Sequence, residues 1–106
     1  MQRDATTPSD EEKLYLALSG IPAGRVIAYG ELARRAGLPG RARWVGRTLS
    51  QFPEGAGLPW HRVINANRRI SLPSGSPGHL EQRQRLLSEG VQFSSAGTID
   101  RKYLLT

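Results

Sequence analysis

Apolar positions along the chain come in short bursts, separated by glycine and proline. Leu14 and Leu18 lie one helical turn apart in a polar stretch. Ser9 followed by Glu12 has the spacing of a capping box, so the pattern predicts a helix over 10–19, ended by Gly20. IPAGRVIAYG, 21–30, holds a Pro/Gly turn and then a β-prone run, Val26 to Tyr29. ELARRAG, 31–37, predicts a short helix stopped by Gly37, with Pro39 just beyond. RARWVGRTLSQF, 41–52, predicts the next helix: Ala42, Val45, Leu49 and Phe52 share one apolar face, with Arg43 and Arg47 opposite. Two short helices joined through Gly-Leu-Pro-Gly suggest a helix-turn-helix, with Ala33 and Gly37 as its small residue and turn glycine.

Beyond this pair the bursts shorten. PEGAGLP, 53–59, reads as a loop leading to Trp60. VIN and RRIS, around Ala66-Asn67, read as two short strands of a ribbon or wing. LPSGSPG, 72–78, is a loop. HLEQRQRLLSEG, 79–90, predicts a helix ending at Gly90, with Leu80, Leu86 and Leu87 as core contacts. VQF and TIDRKYLL close the chain as extended or irregular segments. The predicted fold class is mainly α: a small winged helix-turn-helix-like domain with a short β-ribbon. Residues 1–8 are expected to be frayed and 9–106 to form a single domain.

Composition narrows the chemistry. The 106 residues contain no cysteine, which removes disulfides, thiolate metal sites and thiol nucleophiles together. Two histidines, His61 and His79, are too few for an ordinary structural zinc site, and neither metal nor cofactor is expected. No apolar run is long enough to span a bilayer. The N-terminus lacks a hydrophobic signal core, so the expected location is the cytoplasm, at the nucleoid in a bacterium. The net charge is +6, and 13 of the 15 basic residues are arginine. An arginine surplus attracts polyanions, nucleic acid first. Gly46, inside a helix, costs about 1 kcal/mol against alanine, and it permits another backbone to come close. Trp44 on the same helix is expected to point partly outward, over the adjoining loop or against DNA.

Taken in order, IPAGRVIAYGELARRAGLPGRARWVGRTL, then LPWHRVI, then LLSEG resembles the DNA-binding domain of the O6-alkylguanine-DNA alkyltransferases, over about residues 12–91. In those enzymes the residue between Pro and His is the cysteine that accepts the alkyl group. Here it is Trp60, the mark of the alkyltransferase-like proteins. These resemble the enzymes, bind alkylated guanine and pass the lesion to nucleotide excision repair without transferring the alkyl group. Chemistry agrees: displacement at carbon needs a strong polarisable nucleophile, and an indole nitrogen has committed its lone pair to the ring.

The resemblance implies further roles. Tyr29 would help rotate the target nucleotide out of the helix, and Arg43 would fill the gap in the stack. The helix carrying Arg43 would lie in the minor groove with Ala42 and Gly46 facing it, and Trp44 and Arg47 among the DNA contacts. Tyr29, Pro59, Trp60, Arg69, Ile70, Ser71, Pro73 and Ser74 would line the lesion pocket, with Trp60 as a flat apolar wall. His61, Arg62 and Glu89 match a relay that serves the missing thiol, and they are expected to act as hydrogen-bonded scaffolding.

Three positions depart from the pattern. Pro73 stands where several alkyltransferase-like proteins have an arginine. Phe52-Pro53 replaces an Asn-Pro pair. Arg68 replaces a glycine in the ribbon turn, with Asn67 expected to take the positive φ.

The expected function is a non-enzymatic sensor of O6-alkylguanine in double-stranded DNA, acting as a monomer, with nucleotide excision repair proteins as partners and no membrane. The alternative is a winged-helix DNA-binding regulator without lesion specificity.

Overall fold

Four helices and one pair of parallel strands form the fold in this computed structural model, which describes residues 7–51 and 57–105. In chain order these are α1 (Asp10–Ser19), β1 (Ile27–Ala28), α2 (Tyr29–Arg35), α3 (Ala42–Ser50), β2 (Val63–Ile64) and α4 (Pro77–Ser88). One 3-10 turn, Trp60–Arg62, precedes β2, and another, Arg101–Tyr103, lies near the C-terminus. The expected mainly α class holds, with a small two-stranded parallel sheet. Residues 1–6 of the expected frayed N-terminus, and Phe52-Pro53, lie outside the described residues.

Local sequence accounts for the helix ends. The capping box at α1 is complete: Ser9 Oγ accepts from Glu12 N at 3.1 Å, and Glu12 Oε1 accepts from Ser9 N at 3.5 Å. At the end of α2, Gly37 N–H donates to the Arg34 carbonyl and Leu38 N–H to that of Ala33, with Gly37 at φ 80. This pairing satisfies carbonyls the helix leaves over and turns the chain sharply into α3. The same motif ends α4, where Val91 N–H donates to the Leu86 carbonyl and Gly90 N–H to that of Leu87. Leu86 and Val91 are both fully buried, and Glu89 is left as the last residue before the turn.

The strand pair divides the core. Ile27 pairs in register with Val63, and Ala28 with Ile64. Neighbouring residues of a strand point to opposite faces. Ile27 and Val63 therefore join Leu14, Leu18, Ile21, Leu32, Ala33 and Val45 on the helix-turn-helix side. Val26 and Ile64 join Leu86, Val91 and Ile99 on the other. The C-terminal segment extends the sheet: Val26 N–H donates to the Tyr103 carbonyl, and Leu105 N–H to that of Val26.

Several expectations are corrected. The strand pair is parallel and joins 27–28 to 63–64; residues 63–71 do not form a hairpin. A turn takes the hairpin's place, because Asn65 Oδ1 accepts from the N–H groups of both Asn67 and Arg69. Arg68, not Asn67, holds the positive φ, at 58. It is gripped there by Ile99, whose carbonyl accepts from Arg68 Nε at 2.9 Å and whose N–H donates to the Arg68 carbonyl at 2.8 Å. Leu80 and Leu87 are 56% and 41% exposed, so only Leu86 of the three serves the core. Gln82 is buried instead. Tyr29 opens α2 rather than ending a strand.

Candidate nucleic-acid interface

Between α3, the Trp60 turn and α4 lies an open cleft of about 1280 Å³. Its central wall comes from LPWHR. Pro59, at φ -81 and ψ 60, makes an inverse γ-turn in which Trp60 N–H donates to the Leu58 carbonyl at 2.8 Å. The 3-10 turn then splays three consecutive side chains about a third of a circle apart. Trp60 lines the cleft, half-buried, while His61 points into the protein and Arg62 toward the Ile21 carbonyl in the turn after α1.

Glu89 ties these groups together. Its Oε2 accepts from Arg62 Nη2 at 2.6 Å and lies 2.7 Å from His61 Nε2. Its Oε1 accepts from Arg62 Nε at 3.0 Å and from Gly24 N–H at 3.2 Å. Arg62 Nη1 donates to the Ile21 carbonyl at 2.7 Å. Three separated pieces of sequence, IPAG, HRV and the Glu-Gly pair, therefore meet on one carboxylate. Gly24, at φ 84, gives the tight turn that aims its amide there. Burial alone would raise the Glu89 pKa, but the bonds from Arg62, His61 and Gly24 outweigh it and hold the carboxyl at about 2. For His61, burial outweighs the adjacent carboxylate and lowers the pKa. The neutral ring donates Nε2–H to Glu89 and leaves Nδ1 buried without a partner among the described residues.

On the opposite wall, Tyr29 opens α2 and its hydroxyl meets Ser71 Oγ at 2.6 Å. Ala42, Arg43 and Gly46 line the same cleft from α3. Arg43 is exposed and makes no ion pair among the described residues. Trp44 turns away: it packs on the first core cluster, with the Arg41 guanidinium 4.6 Å from its ring centre. Arg41 also pairs with Asp10 at 3.3 Å, which binds the start of α3 to α1.

The structure thus brings Tyr29, Ala42, Arg43, Gly46, Pro59, Trp60, His61, Arg62 and Ser71 to one cleft. Trp44, Arg47, Arg69, Ile70, Pro73, Ser74 and Glu89 do not line it. Two residues of α4 escaped the sequence reading. Gln82 Nε2 donates to the carbonyls of His61 and Val63, at 3.1 and 2.9 Å, and so fixes the backbone behind the tryptophan. Arg85 lines the cleft with its guanidinium 5.5 Å from the Trp60 ring centre. A polar helix stretch gives no hint of either contact. No helix among the described residues is long and apolar enough to cross a membrane.

The family model described as "6-O-methylguanine DNA methyltransferase, DNA binding domain" matches residues 10–91. The chain belongs to this family. It is 43% identical over 100 residues to the DNA base-flipping protein of Escherichia coli K12, covering 94% of this chain and 74% of that one. It is 44% identical over 81 residues to Alkyltransferase-like protein 1 of Schizosaccharomyces pombe, covering 76% and 75%. Among solved structures, S. pombe Atl1 in complex with damaged DNA containing O6-carboxymethylguanine superposes with a TM-score of 0.79 at 37% identity, over 94% of this chain and 99% of that one. In this family member the cleft wall is an indole, and the chain contains no cysteine.

Proposed function

We propose that the protein recognises O6-alkylguanine in duplex DNA by turning the damaged nucleotide out of the helix and laying it against Trp60, without accepting the alkyl group. The single observation that carries this is Trp60 on the wall of a cleft large enough for a base, flanked by Tyr29 and the exposed guanidinium of Arg43. A base-flipping relative and a relative solved on a duplex with an O6 adduct support it. The α3 residues Ala42, Arg43 and Gly46 face the minor groove, Arg43 enters the stack, and Arg47 and Trp44 lie at the edges of the contact. Arg69, Ile70, Ser71, Pro73 and Ser74 form the second wall once DNA is bound. An alkyl group gains about 0.8 kcal/mol per buried methylene, and a mispaired base is cheaper to extrude than a paired one. Both terms favour the lesion over normal guanine.

In this reading residues 9–106 act as one monomeric domain, on DNA in the cytoplasm. The bound protein marks the site for nucleotide excision repair.

The test is a titration of two duplexes identical but for one O6-methylguanine, followed by mass spectrometry of the protein. The expected result is tighter binding to the modified duplex and an unaltered protein mass. Equal affinity for both would support a regulator of ordinary DNA instead. A mass gain of one methyl group would make the protein an acceptor.

A further inference from the structure

We propose that Arg85 makes the cleft favour O6 adducts that carry a negative charge, such as a carboxymethyl group, over neutral adducts of the same shape. This rests on the alkylguanine standing against Trp60.

One face of α4 and its C-cap present Gln82, Arg85 and Glu89, three and four residues apart, to the tryptophan turn. Two of the three are committed. Gln82 serves two backbone carbonyls, and Glu89 is occupied by Arg62, His61 and Gly24. Arg85 is not. Its ion pair among the described residues is with Glu81 at 3.7 Å, beyond hydrogen-bond reach. Both side chains are about half exposed, at 48% and 57%. Such a pair contributes little and is easily exchanged for a better one. The guanidinium nevertheless lies over the tryptophan ring, 5.5 Å from its centre, so a cation stands at the plate itself and donates no hydrogen bond among the described residues.

A methyl or propyl group on O6 needs only the indole. A carboxylate pressed against bare indole would lose its hydration with nothing to replace it. Arg85 supplies the replacement: a planar fork that pairs with both carboxylate oxygens at once. Glu81 lines the same cleft and opposes the incoming charge, so it sets a limit on the preference. If Arg85 instead held a phosphate of the extruded nucleotide, it would act on every adduct alike.

The experiment uses the full chain and one duplex sequence bearing guanine, O6-methylguanine, O6-carboxymethylguanine or its neutral amide, O6-carbamoylmethylguanine. Wild type is expected to bind the carboxylate about tenfold more tightly than the amide. Arg85→Gln is expected to bring that ratio to about one, with a clearly larger loss on the carboxylate than on O6-methylguanine. Arg85→Lys should restore part of the ratio, and Glu81→Gln should raise it. A ratio near one in wild type, or the same ratio in Arg85→Gln, overturns the proposal, as does an equal loss on all adducts. If the adducts bind no better than guanine, the lesion reading itself fails and takes the proposal with it.

Discussion

Tyr29 and Ser71 share a hydrogen bond of 2.6 Å between their hydroxyl oxygens, which ties the start of α2 to the loop after the 65–69 turn. The Tyr29 ring also lies over α3, with Cε1 3.9 Å from where a Cβ on Gly46 would stand. Tyr29→Phe removes the bond and keeps the ring. It should weaken lesion binding by up to about fivefold, the worth of one neutral hydrogen bond. Tyr29→Ala also removes the surface that guides the rotating nucleotide and should cost at least about tenfold. Anisotropy titration reads both; unchanged binding in Tyr29→Ala would rule out the flipping role.

Arg43 is exposed and has no ion pair among the described residues, so its replacement should leave stability within about 0.5 kcal/mol. Arg43→Ala should still weaken binding to the modified duplex and reduce the salt slope by about one unit. Arg43→Lys should restore the salt slope but not the lesion affinity, because an ammonium cannot stack as a plane. Full rescue by lysine would show that Arg43 only touches phosphate.

Gly46 separates stability from function. An alanine there meets only ordinary contact, with Tyr29 at 3.9 Å. Gly46→Ala should therefore stabilise the free protein by up to about 1 kcal/mol in denaturant melts. If DNA approaches this turn of α3, the same methyl group should reduce affinity for every duplex. A variant that gains stability and keeps full affinity would move the contact elsewhere.

The Glu89 cluster predicts acid sensitivity. The carboxyl is depressed to about 2 in the fold, from 4.5. A depressed acid stabilises above its unfolded pKa and loses that contribution as pH falls toward its folded pKa, here from about 4.5 to about 2. After allowance for screening, the loss is on the order of 1–2 kcal/mol. His61 works in the same direction at higher pH: its folded pKa is lowered from 6.5, so the unfolded chain takes the proton first as pH falls. Glu89→Gln should lower stability at neutral pH by about 1–2 kcal/mol, because Arg62 is left part-buried without its ion pair. It should also flatten the stability profile below pH 4.5. A profile as steep as wild type would place the acid-labile group elsewhere.

The sequence alone determined what depends on near neighbours. The capping box of α1 and the glycine stops after α2 and α4 are set within a few residues. The loss of thiol chemistry follows from composition. The tryptophan's place in the cleft was legible through the resemblance, which sets Trp60 where the enzymes carry their acceptor cysteine.

Tertiary structure decided the partnerships across the chain. Val63 and Ile64 look like half of a hairpin, yet they pair with Ile27 and Ala28, because burying both faces of a parallel pair outweighs a local return. Arg68 holds a positive φ only because Ile99, 31 residues away, grips it from both sides. Gln82 is buried while Leu80 and Leu87 stay exposed, because α4 turns its polar stripe to the backbone of the tryptophan turn. A carboxylate shared by Gly24, His61 and Arg62 cannot be read from spacing either. Hydrogen bonds and ion pairs depend on distances in space, and only the folded chain sets those.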